Sequence, residues 1–354
     1  MNTIVKSVLH PARNIATLLL LLVMIPLLLF SCKNSHDEVP RPAPSVYYWR
    51  TVMQLDSTER DFLARNKVQK MYLRYFDVVI KEGKLMPNAT LHFTEPVPEG
   101  LEIVPTVFIM ENCLDVDTTK LAKLLVDRLV QMSETNGVTG VKEVQVDFDW
   151  TGRTMQPYYD LLLRMRHLLK ERGLGLSATI RLHQLSMPPP PVDYGVLMMY
   201  NTGNASDYDC ENPILDYKAA EPYLKNLADY DLPLCAAYPV FHWYLHYRRK
   251  EFQGTLYDVD LSDSTLFYRT APNKYLVIGS RDLPSGGSDD ALSAHIRAGD
   301  EVVLKQVPAS TIIKVHDKLS TLRPGINGQV ILYDLDSKFI NKYQSTDYEK
   351  IFNP

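Results

Sequence analysis

Two aspartates in a short alternating stretch are the residues whose types and spacing best fit acid and base chemistry. Between Val144 and Thr151, apolar and polar residues alternate, so Asp147 and Asp149 fall on one face of a predicted strand. They lie two positions apart, roughly 7 Å along the strand. Like charges at this spacing oppose each other's ionisation, which is one way to tune carboxylic acids for catalysis. The stretch therefore predicts an acidic site.

Eight predicted strands with intervening helices must position these acids. The strands are predicted at 45–51, 70–79, 102–110, 144–151, 175–184, 195–201, 233–241 and 328–334, and the helices at about 57–66, 117–134, 156–172, 216–228 and 309–322. This pattern and length predict the α/β class and a (β/α)₈ TIM barrel. An open, doubly wound sheet is the alternative, and it is disfavoured because no glycine-rich phosphate loop follows the first strand.

In such a barrel, side chains near the carboxyl ends of the strands converge on one mouth. The predicted mouth residues are Arg74, Asp77, Glu111, Asn112, Asp147, Asp149, Arg181, His183, Tyr200, Asn201, Tyr238, Asp334 and Asp336. Arg74 and Asp77 have opposite strand parity, so both face inward only if the strand contains a bulge. Arg181 follows on the strand next to Asp149, and we expect these two groups to pair and to hold the carboxylate ionised.

The composition of this mouth predicts a sugar or another polar small molecule as ligand. Carboxylates bind hydroxyl groups or act as acids and bases, and aromatic rings stack on the faces of pyranoses. The candidate aromatic residues are Tyr47, Tyr48, Trp49, Trp150, Tyr200, Tyr238 and Trp243. We predict catalytic roles for Asp149, Asp147 and Glu111, and substrate binding by Arg181, Tyr200, Asn201, Tyr238, Asp334 and Trp150. No cofactor is predicted.

Two short motifs resemble those of family 18 chitinase-like barrels. Asp147-Phe-Asp-Trp-Thr151 is similar to the end of the DxxDxDxE motif, and Met198-Met-Tyr-Asn201 is similar to the MxYD motif of the sixth strand. The resemblance implies a glycoside hydrolase barrel in which the two aspartates orient a substrate amide and the motif glutamate is the acid. Here Val144 replaces the first aspartate, Asn201 the last, and Thr151 the glutamate. Threonine cannot protonate a glycosidic oxygen, so that mechanism cannot transfer unchanged.

Three functions are therefore open. The first is a glycoside hydrolase with Asp149 as one carboxylate and Glu111 or Asp334 as the other. The second is a catalytically inactive barrel that binds a glycan. In the third, Asp147 and Asp149 only stabilise the barrel through Arg181 and backbone donors, as in a structural envelope protein.

The N-terminus predicts export and lipid anchoring. Residues 1–31 contain Lys6 and Arg13, followed by an apolar run, which is the pattern of a secretory signal. The segment Leu29-Phe-Ser-Cys32 resembles the lipobox of bacterial lipoproteins, which implies that Cys32 is lipidated, for example with palmitate, and that it becomes the mature N-terminus. The whole chain also resembles lipoproteins of gut-type Bacteroidetes. We expect a tether over 32–44, a barrel domain over 45–354, and a globular part outside the cytoplasm, most simply at the outer membrane.

The remaining composition narrows the ligands and partners. The chain has 354 residues and a formal net charge of −4, and it contains no basic block, so nucleic acid is excluded as an expected partner. Besides Cys32 there are three cysteines, for which one Cys113–Cys210 bridge or free thiols are both open. The sequence gives no prediction of oligomeric state.

An irregular segment over about 242–308 is predicted to be an insertion between the seventh strand and the last helix. It contains many turn residues and short strand-like runs at 275–278 and 301–305. His242 and His246 are four residues apart, as metal ligands on a helix would be. In an extended chain they would be roughly 13 Å apart, which is too far to share one ion. We predict no metal site.

Overall fold

The computed structural model describes residues 43–285 and 292–352. Its strands are, in chain order, β1 (Ala43–Tyr48), β2 (Val52–Met53), β3 (Lys70–Lys81), β4 (Lys84–Asn88), β5 (His92–Phe93), β6 (Glu102–Ile109), β7 (Glu143–Asp147), β8 (Gly175–Ile180), β9 (Tyr194–Met198), β10 (Leu234–Pro239), β11 (His242–Arg248), β12 (Glu251–Leu256), β13 (Phe267–Ala271), β14 (Lys274–Val277), β15 (Arg281–Ser285), β16 (Leu292–Ile296), β17 (Glu301–Gln306) and β18 (Gln329–Tyr333).

The α-helices are α1 (Ser57–Arg65), α2 (Thr118–Thr135), α3 (Met155–Lys170), α4 (Tyr217–Leu224), α5 (Ala309–Leu322), α6 (Ser337–Ile340) and α7 (Ser345–Phe352). Short 3₁₀ helices span Glu111–Leu114, Leu182–Ser186 and Ile326–Gly328. In this part of the chain, no helix is both long enough and apolar enough to cross a bilayer.

Eight parallel strands of the described chain close into a barrel. Around the ring they follow the order β1, β3, β6, β7, β8, β9, β10 and β18. Closure is direct, because Val46 of β1 is in register with Met71 of β3 on one side and with Leu332 of β18 on the other. The predicted (β/α)₈ barrel is therefore confirmed, and an open sheet is excluded.

Several strands end earlier than the alternation predicts. β7 ends at Asp147, so Asp149 lies in the following loop, and β8 ends at Ile180, so Arg181 and His183 begin a 3₁₀ helix. The barrel also lacks some of the helices of the ideal pattern. The antiparallel strand β4 follows β3, and the 3₁₀ helix Leu182–Ser186 connects β8 to β9.

The inside of the barrel has its own small core. Residues from the barrel strands alone form this cluster: Tyr47, Tyr72, Val104, Val196, Met198, Cys235, Ala237 and Ile331. β7 and β8 add polar side chains to this core. Tyr47 donates a hydrogen bond to Gln145 of β7 at 2.7 Å, and Gln145 donates one to Ser177 of β8 at 3.5 Å. The other face of each strand joins the larger core beneath the helices.

The helices begin at identifiable caps. Asp56 caps α1, where its carboxylate accepts a hydrogen bond from the backbone N–H of Glu59 at 2.9 Å, and the Glu59 carboxylate accepts one from the N–H of Asp56. Asp117 caps α2 in the same manner. On α2 and α3, buried leucines recur on one face, which packs against the strands.

The predicted insertion contains a sheet of its own. Among the described residues, seven strands pair in the order β13, β14, β17, β11, β12, β15 and β16, with antiparallel neighbours. His242 and His246 both lie on β11 and so are extended, as expected. His246 is buried and hydrogen-bonded to Asp300 at 2.8 Å, and Arg248 also bonds that carboxylate.

The three cysteines within the described ranges are free thiols. Cys113 and Cys235 are buried, and Cys210 is partly exposed. Burial raises the pKa of the Cys113 thiol to about 11 and that of Cys235 to about 12. The Cys113–Cys210 bridge, one of the two alternatives, is therefore absent from this structure.

A bulge in β3 resolves the parity of Arg74 and Asp77. The register with β6 shifts between Arg74 and Phe76, which lets two residues of opposite parity meet. Arg74 donates to both carboxylate oxygens of Asp77, at 2.7 Å through Nε and also through Nη2, and both side chains are almost fully buried. The pair thus brings two opposite charges into direct contact in the buried interior.

We expect Asp77→Ala to lower the free energy of unfolding by about 3–5 kcal/mol, because it leaves the Arg74 guanidinium buried without this carboxylate. Asp127→Ala is the matched control, since Asp127 pairs with Lys123 and Arg172 on the surface and its loss should cost about 1 kcal/mol or less. Urea unfolding measures both changes. Equal losses for the two variants would contradict this assignment of the buried pair.

Candidate active site at the barrel mouth

Asp147 is held in place by two neighbours on the next strand. Its side chain is only 8 % exposed. Thr179 of β8 donates a hydrogen bond to Oδ1 at 2.6 Å, and Arg181 donates to the same oxygen at 2.7 Å. Asp147 therefore serves as an anchored acceptor at the mouth. Arg181 was predicted to pair with Asp149, but it bonds to Asp147.

The charge of Arg181 is reinforced by its surroundings. Burial by itself would lower the pKa of the guanidinium, but Asp147 and, more weakly, Tyr200 and Asp149 outweigh it, so the pKa is raised. A permanent positive charge therefore lies between the two aspartates. It can bind a carboxylate, a carbonyl oxygen or a hydroxyl of a ligand.

Asp149 is the aspartate that remains available to a ligand. Its side chain is 61 % exposed. The 3₁₀ helix after β8 supports it from one side, because Gln184 Nε2 donates to Oδ1 at 3.3 Å and His183 Nε2 lies 3.5 Å from the same oxygen. Gln184 also donates to the carbonyl oxygen of Trp150 at 2.9 Å, which fixes the loop that carries Asp149.

Asp149 and Arg181 open into a small cavity at the mouth. Its volume is about 170 Å³, and its remaining lining residues are Leu182, His183, Met198, Tyr200, Asn201, Thr202 and Tyr223. Asn201 adopts φ of +57°, a left-handed conformation that asparagine tolerates better than most residues. Sites for drug-sized ligands span about 300–1,000 Å³. This cavity is smaller, so it has room for only one part of such a ligand.

Four aromatic rings form what we call the aromatic floor: Tyr47, Trp49, Tyr200 and Tyr333. Ring centroids are 5.8 Å apart for Trp49 and Tyr333, 5.1 Å for Tyr200 and Tyr333, and 5.6 Å for Tyr47 and Tyr333. Tyr47 is fully buried, whereas the other three rings are half-buried. Such partly exposed rings offer apolar faces on which a sugar ring can stack.

Asp334 is a second carboxyl group at this end of the barrel. It directly follows β18 through a cis peptide bond after Tyr333, and it is 8 % exposed. Burial, and then the neighbouring charge of Asp336, raises the pKa of Asp334 to about 7. Burial raises the pKa of Tyr200 and of Tyr333, and the nearby charge of Asp334 raises both further. Asp334 therefore lies beside the floor.

Glu111 lies on the exposed rim. It begins the 3₁₀ helix that follows β6, its side chain is 49 % exposed, and it accepts a hydrogen bond from Arg153 at 2.6 Å. Thr151, at the position of the motif glutamate, is exposed. Glu111 therefore belongs to a surface ion pair and does not line the mouth cavity.

Two predicted ligand-binding residues face away from the mouth. Tyr238 is fully buried, donates to Asn327 at 2.8 Å and packs on His316 of α5. Trp150 is also fully buried, against Tyr158 and Tyr159 of α3. Tyr238 lies on the face of β10 that packs against the helices, and Trp150 lies in the loop after β7, so both belong to the core beneath the helices.

Other mouth residues were missed or left without a role. Thr179 lies on the polar face of the predicted fifth strand, so the sequence alone could have indicated it. The positions of Gln184, Thr202 and Tyr223 at the mouth depend on tertiary structure that no sequence pattern indicates. Tyr333 was overlooked because it ends an otherwise apolar strand. In the described residues, no group of three or more histidines, cysteines or acids is placed to hold a metal ion.

Comparison with known proteins gives the fold. No family model and no curated protein matches this chain. Solved structures do. A chitinase from Chromobacterium violaceum is 13 % identical with a TM-score of 0.54, covering 88 % of this chain and 98 % of its own. The spore cortex-lytic enzyme SleL of Bacillus cereus is 12 % identical with a TM-score of 0.52, covering 88 % and 75 %.

A Group IV chitinase of Ostrinia furnacalis, solved with allosamidin, is 10 % identical with a TM-score of 0.51, covering 88 % of this chain and 97 % of its own. At such low identities the likeness extends to the barrel architecture and no further. The chain thus shares an eight-stranded parallel barrel with these enzymes, which is the fold that the sequence predicts.

The raised pKa of Asp334 makes a prediction about stability. Because its pKa is near 7 in the folded chain and about 4 in the unfolded chain, the folded chain binds the extra proton between about pH 4 and 7. Its contribution to stability is therefore largest below pH 4 and is lost as the pH rises through 7, by up to about 1.4 kcal/mol per pH unit.

Urea unfolding of the wild type and of Asp334→Asn across this range isolates the effect, since the amide does not titrate. We expect the wild type to lose stability relative to the variant as the pH rises from 4 to 7. A difference between the two that stays constant with pH would contradict the assignment.

Proposed function

We propose that this protein binds a glycan at the carboxyl-terminal mouth of its barrel. The observation that carries the proposal is the combination, at one mouth, of a largely exposed carboxylate, a permanent cation and three half-buried aromatic rings. Asp149 and Arg181 supply directional contacts to hydroxyl or amide groups, and the aromatic floor supplies apolar area for pyranose faces. The barrel likeness to two chitinases and a cortex-lytic enzyme agrees with a glycan ligand.

The choice of glycan follows from which groups are free to bind. Asp147 is almost fully buried whereas Asp149 is largely exposed, so Asp149 is the aspartate left to bind a substrate amide. Chitin oligosaccharides carry such an amide on every sugar, and cello-oligosaccharides of the same length carry a hydroxyl in its place. This pair of ligands separates amide recognition from simple ring stacking.

Hydrolysis is the second candidate, and Asp334 is the observation that favours it. A glycosidase needs one carboxyl group that is protonated near neutral pH and one that is not. Asp334, with its pKa raised to about 7, fits the donor of a proton to the glycosidic oxygen, and the exposed Asp149 fits the second carboxylate. Glu111 fits neither role as well, because it is paired with Arg153 on the surface.

Calorimetric titration with chitin pentasaccharide and with cellopentaose tests binding. Trp49→Ala should weaken binding about fivefold, since an aromatic stacking contact contributes about 1 kcal/mol. Tyr268→Ala is the matched control, because Tyr268 is an exposed aromatic of β13 that belongs neither to the floor nor to the cavity. Absence of binding to either sugar, or equal effects of the two variants, would contradict the proposal.

Release of reducing ends from the same sugars separates the two candidates. If the barrel is catalytic, Asp334→Asn should lower turnover by at least about 100-fold while binding persists, and wild-type turnover should fall as the pH rises through 7. Turnover that survives Asp149→Asn would exclude Asp149 as a catalytic residue. A wild type that binds without cleaving is a non-catalytic glycan-binding barrel.

A lipid anchor at Cys32 is the second part of the proposal. Its support is the sequence alone, because the signal over 1–31, Cys32 and the tether as far as residue 42 lie outside the described residues, while residues 43 and 44 of the predicted tether begin β1. A lipid at this cysteine would hold the barrel at a bacterial membrane, most simply the outer one, with the glycan site facing away from the cytoplasm. A single acyl chain gives weak anchoring, so several chains are expected.

Expression in a bacterial host with a clickable palmitate analogue tests the anchor. The wild type should be labelled and recovered with membranes, whereas Cys32→Ala should be unlabelled. Cys210→Ala removes another cysteine that is partly exposed and should keep the label. A labelled Cys32→Ala variant, or an unlabelled wild type, would contradict the anchor.

A further inference from the structure

A second cavity lies outside the barrel mouth. It has a volume of about 350 Å³ and lies between the loop that follows β9, at residues 208–212, and the inserted sheet, at residues 272–274 and 303–306. In the described chain it shares no lining residue with the mouth cavity. Its volume falls within the range of about 300–1,000 Å³ that is usual for small-molecule sites.

Lysine ammonium groups surround one aromatic ring at this cavity. Lys274 Nζ is 4.7 Å and Lys250 Nζ is 5.1 Å from the ring centroid of Tyr208, whose hydroxyl donates to Glu301 at 2.7 Å. Lys305 Nζ donates to the carbonyl oxygens of Cys210 at 2.7 Å and of Glu211 at 3.0 Å. Within residues 43–285 and 292–352, none of the three lysines forms an ion pair with a carboxylate.

The two lysines that line the cavity repel each other. Burial lowers the pKa of Lys305, Cys210 raises it, and the charge of Lys274, which acts next most strongly, lowers it. Glu211 and Asp207 act in the opposite direction, each more weakly than Lys274. Asp209 and Glu211 also line the cavity, but both are exposed to solvent. A bound anion would therefore relieve the repulsion between Lys274 and Lys305.

We propose that this cavity binds an acidic sugar, recognised by its carboxylate. The carboxylate would lie near the ammonium groups of Lys274 and Lys305, which bind it as point charges. The ring of Tyr208 offers an apolar surface to the sugar ring, and the exposed amide of Asn273 can bond to its hydroxyls. The site is a separate one from the glycan site at the mouth and does not depend on it.

The test uses D-glucuronic acid, with D-glucose as the neutral ligand of the same ring. Titrations of the full chain are followed by the backbone amide signals of residues 208–212 and 272–274. We expect saturable shifts with glucuronic acid that are much weaker with glucose. Lys274→Gln should weaken glucuronic acid binding about fivefold, and the control Lys170→Gln, on α3, should leave it unchanged.

Three results would overturn the proposal: no saturable shift, equal affinity for glucose and glucuronic acid, or unchanged affinity in Lys274→Gln. The variant Trp49→Ala separates the two sites, because it changes the aromatic floor and should leave glucuronic acid binding intact. Loss of glucuronic acid binding in that variant would move the ligand to the mouth and would also overturn the proposal.

Discussion

The buried pair of Asp147 and Arg181 is the interaction on which the barrel mouth depends. A buried carboxylate without partners costs several kcal/mol, so Asp147 is tolerated only because Thr179 and Arg181 donate to it. These donors lie on or just after β8, and the acid ends β7, so the pair joins two neighbouring strands at their carboxyl ends. Its geometry thereby fixes where both following loops begin.

The pair also divides the acids of the mouth by role. Asp147 is occupied by its donors, whereas Asp149 follows it by two residues, beyond the end of the strand, and faces solvent. Asp334 directly follows Tyr333 of the aromatic floor and is buried, which together with the charge of Asp336 raises its pKa to about 7. The mouth thus has one anchored carboxylate, one exposed carboxylate and one carboxyl group with a raised pKa. This arrangement suits a polar ligand with hydroxyl and amide groups.

The sequence predicted the barrel well, because its signals are local. Alternating strands, amphipathic helices and glycine or proline breaks occur in the order that eight strands require, and Asp147 and Asp149 stand out by parity alone. The errors arose where a side chain's direction depends on the ends of strands. Tyr238, on β10, and Trp150, in the loop after β7, both pack into the core beneath the helices, so an aromatic near the mouth need not point into it.

Other features could not be read from the sequence at all. The preference of Arg181 for Asp147 over Asp149 depends on β7 and β8 ending where they do. The raised pKa of Asp334 depends on its burial in the folded chain and on the nearby charge of Asp336, neither of which a sequence pattern indicates. The lysine cavity joins the loop after β9 to an insertion about 60–100 residues later in the chain, a contact that only the tertiary fold creates.

A crystal structure of the chain with chitin pentasaccharide tests the central claim most directly. The account predicts sugar rings stacked on Trp49 and Tyr333, with Asp149 within hydrogen-bond distance of the ligand and the bond between Asp147 and Arg181 intact. A ligand seated elsewhere on the chain, or one that displaces Arg181 from Asp147, would contradict it.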